Sequence, residues 1–172
     1  MKNMIDIFIV EDNKILSQTL KADIETTFAQ KDVRIHLFES GGECIERFSK
    51  EKPPIVILDY HLDSKKAGAM DGIKVLDKLK KENSDVDVIM LTSEDNIAIA
   101  IKSFHHGASD YIVKSETQYK KINNSLFHLI KMREAKREAK RYKRLAVSFF
   151  LCISLIVVSI VVMQVFAPFL LR

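Results

Sequence analysis

The segment PPIVILDYHL, Pro53 to Leu62, carries an unbroken apolar run, Ile55 to Leu58, that follows two prolines and stops at Asp59. A run without polar alternation is what a strand covered on both faces requires. The same grammar recurs on either side. The start, through IFIVEDN (7–13), reads as a strand over Met4 to Val10, broken only by Asp6 and ending at Glu11 and Asp12. Val33, Ile35 and Leu37 alternate as a second strand. Val86 to Leu91 is a fourth strand that stops at Thr92, and Tyr111 to Val113 a fifth that stops at Lys114.

Helices fill the intervals. Asn13 can cap one with Leu16, Leu20, Ile24 and Phe28 at helical spacing. Ser40 with Glu43 fits a capping box before Cys44, Ile45 and Phe48. Asp71 opens a helix carrying Ile73, Leu76 and Leu79. A helix over Glu94 to His106 places Ile97, Ile101 and Phe104 or His105 on one side, and Gly107 ends it as a C-cap. Ser115 and Gln118 form a further expected capping box, followed by Tyr119, Ile122, Leu126, Leu129 and Ile130 at core-like spacing. Strand and helix alternate five times, so the expected fold is α/β, a five-stranded parallel sheet with helices on both faces.

Each informative polar residue lies at the carboxyl end of a strand, where open parallel sheets build their sites. Glu11, Asp12 and Asp59 supply three carboxylates, Thr92 a hydroxyl and Lys114 an ammonium. Clustered carboxylates repel one another unless a cation intervenes, and hard oxygen ligands suit Mg²⁺. Asp59 can attack a phosphoryl group to give an acyl phosphate, with Lys114 as a second positive clamp and Thr92 donating a hydrogen bond. A single Asp, Thr or Lys after a strand is ordinarily a turn or cap residue. The joint placement at successive strand ends of one sheet carries the assignment. His61, His105 and His106 have no metal-set spacing, and His105 and His106 read as helix-end residues. Gly68 and Gly72 form no nucleotide-binding fingerprint.

The pieces IFIVEDN, VILDYHL, MDGIKVLDKLK, VIMLTSE and GASDYIVKS together resemble the receiver domain of bacterial response regulators over about residues 4 to 130. The resemblance implies a flavodoxin-like sheet of strand order 2-1-3-4-5. It implies Mg²⁺ on Glu11, Asp12 and Asp59 with the backbone carbonyl of His61, and phosphorylation of Asp59 by a histidine kinase or phosphotransfer protein. It also implies a switch hydroxyl at Thr92, a switch aromatic at Tyr111 and the family's lysine at Lys114. The sequence departs from the family twice. Ser115 stands where a proline usually follows the lysine, and DSKKAGAM (63–70) lengthens the loop after Asp59 and removes its proline.

The formal net charge of +4 averages unlike parts. Residues 131–144 hold eight Lys/Arg and two Glu, a net +6, whereas residues 1–130 carry 18 Lys/Arg and 21 Asp/Glu, a net −3. The stretch Leu145 to Leu171 has no charged residue. Such a run predicts a transmembrane helix over 145–171 after a basic juxtamembrane helix or linker over 131–144, with the receiver over 1–130. The basic flank predicts single-pass insertion in the inner (cytoplasmic) membrane with the receiver facing the cytoplasm, and lipid rather than nucleic acid as the contact of the basic segment. No signal peptide is read at the start, and Cys44 and Cys152 have neither a metal-site spacing nor a plausible pairing. The expected function is that of a phosphoacceptor in a two-component phosphorelay. It would signal at the membrane through a changed surface, with a homodimer as one form of partner. A membrane-anchored scaffold or a phosphate sink is the alternative, and none of these makes the chain a dedicated enzyme.

Overall fold

Sheet and helices follow the alternation in the sequence. The computed structural model describes residues 4–62 and 71–170, with side chains through 156. In chain order the elements are β1 (Ile5–Val10), α1 (Lys14–Thr27), β2 (Val33–Phe38), α2 (Gly41–Glu51), β3 (Ile55–Asp59), α3 (Gly72–Glu82), β4 (Asp87–Thr92), α4 (Ile97–His105), β5 (Asp110–Val113) and α5 (Gln118–Leu170). The five strands form one parallel sheet in the order β2-β1-β3-β4-β5, as expected. The lengthened loop over 63–70 lies outside the described residues.

The chain divides into two compact units, Met1–Phe127 and His128–Arg172. In the first, every residue of β3 is buried, which explains its unbroken apolar run. Burial of an aliphatic side chain of this size stabilises by about 1.5–3 kcal/mol. One cluster gathers Phe8, Val10, Val56, Leu58, Val88 and Met90 of the sheet with Cys44 and Phe48 of α2 and Ile73, Val75, Leu76 and Leu79 of α3. Cys44 is fully buried there, and burial pushes its thiol up to about 12, so it is a packing residue.

The helix starts are set by local polar groups. Asn13 accepts from the backbone N–H groups of Ile15 and Leu16, Ser40 from Glu43, and Asp71 from Lys74. Gly107 adopts φ +93°, the left-handed conformation expected of a residue ending α4. Two local expectations are corrected. α4 begins at Ile97 and not at Glu94: Asn96 is its cap, with the side chain accepting from the Ala98 N–H at 2.9 Å and the carbonyl accepting from the Ala100 N–H at 3.1 Å. The Ser115–Gln118 box does not form. The Gln118 N–H bonds the Ser115 carbonyl at 3.0 Å, and the Ser115 hydroxyl turns to Thr117 at 3.2 Å.

The side of α4 bearing Ile97, Ile101 and Phe104 faces solvent, with exposures of 78%, 52% and 50%, and the residue α4 buries is Ser103.

In the second unit the charged side chains of 131–144 are exposed, apart from half-buried Arg133. The expected transmembrane helix over 145–171 is corrected: among the described residues no helix is long and apolar enough to cross a membrane. The side chains of 157–170, and residues 171 and 172, lie outside the described residues. The correction removes the transmembrane addition to the fold, the single-pass location in the cytoplasmic membrane, the lipid partner, and the membrane-bound versions of relay and scaffold.

Candidate functional site

β1, β3, β4 and β5 end at one rim of the sheet, and each delivers one element of the site. Glu11 follows β1 and is 1% exposed. Its backbone N–H bonds the Phe38 carbonyl at 3.0 Å, and its Oε1 accepts from the Asn13 N–H at 3.3 Å. Asp12 is exposed beside it. Asp59, the last residue of β3, is 3% exposed, and its Oδ1 accepts from the His61 N–H at 3.3 Å. Thr92 ends β4 fully buried. Lys114 follows β5, with its backbone N–H on the Thr92 carbonyl at 2.6 Å. Glu11, Asp59 and Thr92 thus each accept from the N–H two residues on, which turns the side chain back over the strand end.

The Lys114 ammonium donates to Glu11 Oε2 at 2.7 Å and to Asp59 Oδ2 at 2.8 Å. Ser115 in place of the family's proline therefore does not keep the lysine out of the site. Burial opposes the Lys114 charge, but the hydrogen bonds and the negative charges of Asp59 and Glu11 together outweigh it and hold the pKa above the ordinary lysine value. The Glu11 pKa is also raised, which for a carboxyl disfavours the charged form. Burial, then the negative charge of Asp59, raises its carboxyl above the ordinary range despite the Lys114 hydrogen bond.

Glu11, Asp12 and Asp59 each offer a carboxylate oxygen, and these atoms lie within 4.8 Å of one another. A divalent ion bound at about 2.1 Å spans oxygens up to about 4.2 Å apart, so the cluster closes on one with a small inward movement. The cluster can therefore coordinate a divalent metal.

The residues expected as a switch are linked. Thr92 Oγ1 accepts from the Glu94 N–H, and the Tyr111 hydroxyl donates to the Glu94 carbonyl at 2.9 Å. Burial raises the Tyr111 pKa, so the phenol stays protonated as a donor. Glu94 was missed in the sequence. Its carboxylate also meets His61 Nε2 at 2.9 Å, so the two loops flanking Asp59 are joined across the rim. The one available signal was its place two residues after Thr92, as His61 stands two after Asp59. His106, read as a helix-end residue, pairs with Asp77 of α3 at 2.6 Å.

A parallel 2-1-3-4-5 sheet with an acidic cluster and a lysine at the ends of its strands defines a receiver domain. Residues 7–125 match the family model described as "Response regulator receiver domain", and the chain belongs to that family. Receiver domains act as phosphoacceptors and not as dedicated enzymes. The response regulator protein GraR of Staphylococcus aureus is 34% identical over 108 residues, covering 63% of this chain and 44% of the relative. The regulatory protein LuxO of Vibrio cholerae is 29% identical over 83 residues, covering 48% of this chain and 17% of the relative. The chain thus spans less than half the length of either. In fold it is similar to a receiver domain protein from Clostridium thermocellum, with a TM-score of 0.66, 19% identity, and coverage of 77% of this chain and 98% of the other. A CheY-like receiver domain protein from Methanospirillum hungatei gives a TM-score of 0.63 at 22% identity, covering 77% and 99%.

Proposed function

We propose that the chain is a phosphoacceptor in a two-component phosphorelay, phosphorylated on Asp59 by a histidine kinase or phosphotransfer protein with Mg²⁺ as the metal. The observation that carries this reading is the Lys114 ammonium held between Glu11 and Asp59, with Asp12 at the open side of the cluster. Glu11, Asp12, Asp59 and the His61 carbonyl hold the metal, which when bound neutralises charge on the phosphoryl oxygens. A carboxylate oxygen of Asp59 attacks phosphorus and the O–P bond forms. The P–N bond of the donor phosphohistidine breaks, and its electron pair returns to the imidazole nitrogen. No general base is required, because the carboxylate is already ionised. Lys114 turns its ammonium to the transferred phosphoryl group, and the Thr92 hydroxyl donates to another of its oxygens. Drawing Thr92 toward the phosphoryl group alters its bond with the Glu94 N–H, and Tyr111, bound to the Glu94 carbonyl, follows. The phosphorylated surface then differs from the resting one.

The test is incubation of the full chain with acetyl phosphate, with and without Mg²⁺, followed by intact-mass measurement. One phosphoryl group should add only when Mg²⁺ is present, and Asp59→Asn should abolish the addition. Labelling of Asp59→Asn at the wild-type rate places the phosphoacceptor elsewhere.

A further inference from the structure

Helix α3 begins against the backbone of the phosphoacceptor. A Cβ built on Gly72 would meet the Asp59 carbonyl oxygen at 2.5 Å, the Tyr60 Cα at 2.8 Å and the Tyr60 carbonyl oxygen at 3.1 Å. All three are main-chain atoms, so no side-chain rotation relieves the overlap. Gly72 sits in ordinary helical backbone with no positive φ, and the requirement is for space rather than for conformation.

The surroundings decide which side must yield. The Gly72 N–H donates to the Tyr60 carbonyl at 2.9 Å, tying the helix start to the residue after Asp59. On the opposite side the Tyr60 N–H donates to the Leu91 carbonyl of β4 at 2.7 Å. Asp59 and Tyr60 are thus clamped between a neighbouring strand and the first residue of α3. The helix resists withdrawal, because Val75, Leu76 and Leu79 are fully buried in the core and backing them out opens a cavity. The Asp59–Tyr60 peptide is the part left to move. It joins Asp59, whose carboxylate is at hydrogen-bond distance from Lys114, to Tyr60, which is followed by the His61 N–H that orients Asp59 Oδ1.

We propose that Gly72 is a positioning residue for the phosphoacceptor: by letting α3 contact the Asp59–Tyr60 main chain, it sets where the Asp59 carboxylate stands relative to Lys114 and the Glu11–Asp12 pair. The inference rests on Asp59 being the phosphoacceptor. Small misplacement of a reacting group costs rate steeply, so a methyl group at position 72 slows phosphoryl transfer more than its effect on stability explains.

Gly41 provides the comparison. A Cβ there would also overlap α3, but at the Val75 side chain, away from the rim. Gly72→Ala and Gly41→Ala are made in the full chain, with wild type and Asp59→Asn alongside. Trimethylamine N-oxide, which strengthens burial, is added to all four until circular dichroism matches wild type. Labelling by acetyl phosphate and Mg²⁺ affinity are then measured per folded molecule. Gly41→Ala should label within about threefold of wild type, while Gly72→Ala should label at least tenfold more slowly and bind Mg²⁺ more weakly. Equal labelling of the two glycine variants overturns the positioning role while leaving the phosphoacceptor reading intact. Failure of Gly72→Ala alone to fold under these conditions also overturns it, because the position would then serve the fold and not the reaction. Absence of Mg²⁺-dependent labelling in wild type, or labelling of Asp59→Asn, removes the phosphoacceptor reading itself.

Discussion

The Lys114 Nζ lies 2.8 Å from Asp59 Oδ2 and makes a second hydrogen bond, at 2.7 Å, to Glu11 Oε2. One ammonium therefore serves as counterion to two carboxylates that are almost fully buried, at 1% and 3% exposure. Lys114 lies 103 residues from Glu11 in sequence, and only the folded sheet brings them together.

Replacing Lys114 by Met removes that counterion and leaves Glu11 and Asp59 facing each other. The metal-free protein should lose roughly 3 kcal/mol, the lower end for breaking a buried pair, since the Lys114 side chain keeps 19% exposure. Mg²⁺ should then raise the melting temperature of Lys114→Met by more than that of wild type, because ion binding restores the missing charge. Scanning calorimetry with EDTA and with Mg²⁺ reads both quantities. An equal Mg²⁺ shift in the two proteins would count against the shared-counterion role.

Glu11 predicts a pH dependence of the metal-free protein. Its folded pKa stands above the ordinary value of 4.5, through burial and then the charge of Asp59. The folded state therefore binds the Glu11 proton more readily than the unfolded state. As pH rises from 4.5 through the raised value, ionisation of Glu11 costs stability. In EDTA, Glu11→Gln should melt higher than wild type at pH 7, and the difference should fade as pH falls toward 4.5. A wild-type protein that melts higher than the variant at pH 7 contradicts the stated balance.

Thr92→Val keeps the shape of a fully buried side chain but removes the acceptor for the Glu94 N–H. The cost in stability should be about 1 kcal/mol. If Thr92 donates to the transferred phosphoryl group as proposed, labelling by acetyl phosphate should slow by about tenfold or more. Denaturant melts and labelling time courses check the two numbers separately, and an unchanged labelling rate would remove Thr92 from the reaction.

The orientation of α4 can be tested by an inverted pair. Ile97→Gln, at a position 78% exposed, should change stability by no more than about 0.5 kcal/mol. Ser103→Leu, at a position with no exposure, should cost about 1–3 kcal/mol through overpacking. The reverse ranking in urea denaturation would mean that the Ile97 side of the helix is the buried one.

Local chemistry made much of this legible in the sequence alone. Apolar runs ended by Glu11, Asp59, Thr92 and Lys114 marked the strands, since a strand covered on both faces tolerates no polar residue until it leaves the sheet. Asn13, Ser40 and Asp71 marked helix starts, because a side-chain acceptor satisfies backbone donors only a few residues away. Side-chain periodicity over Ile97, Ile101 and Phe104 identified a shared side of α4 but could not say which way it faced, and packing against β5 turned Ser103 inward. The Ser115–Gln118 pattern matched a capping box in composition, yet the Ser115 hydroxyl took a different partner. Besides its local bond to Thr92, Glu94 entered the site through contacts with His61 and Tyr111, each distant in sequence. The requirement for Gly72 came from a main-chain approach that residue types do not encode. The sequence by itself determined which residues end the strands at the site and which cap α1, α2 and α3, because those interactions close within a few residues. Tertiary structure decided which faces are buried, which carboxylates share Lys114 and where the backbone leaves no room, because those depend on groups that meet only when the sheet has formed.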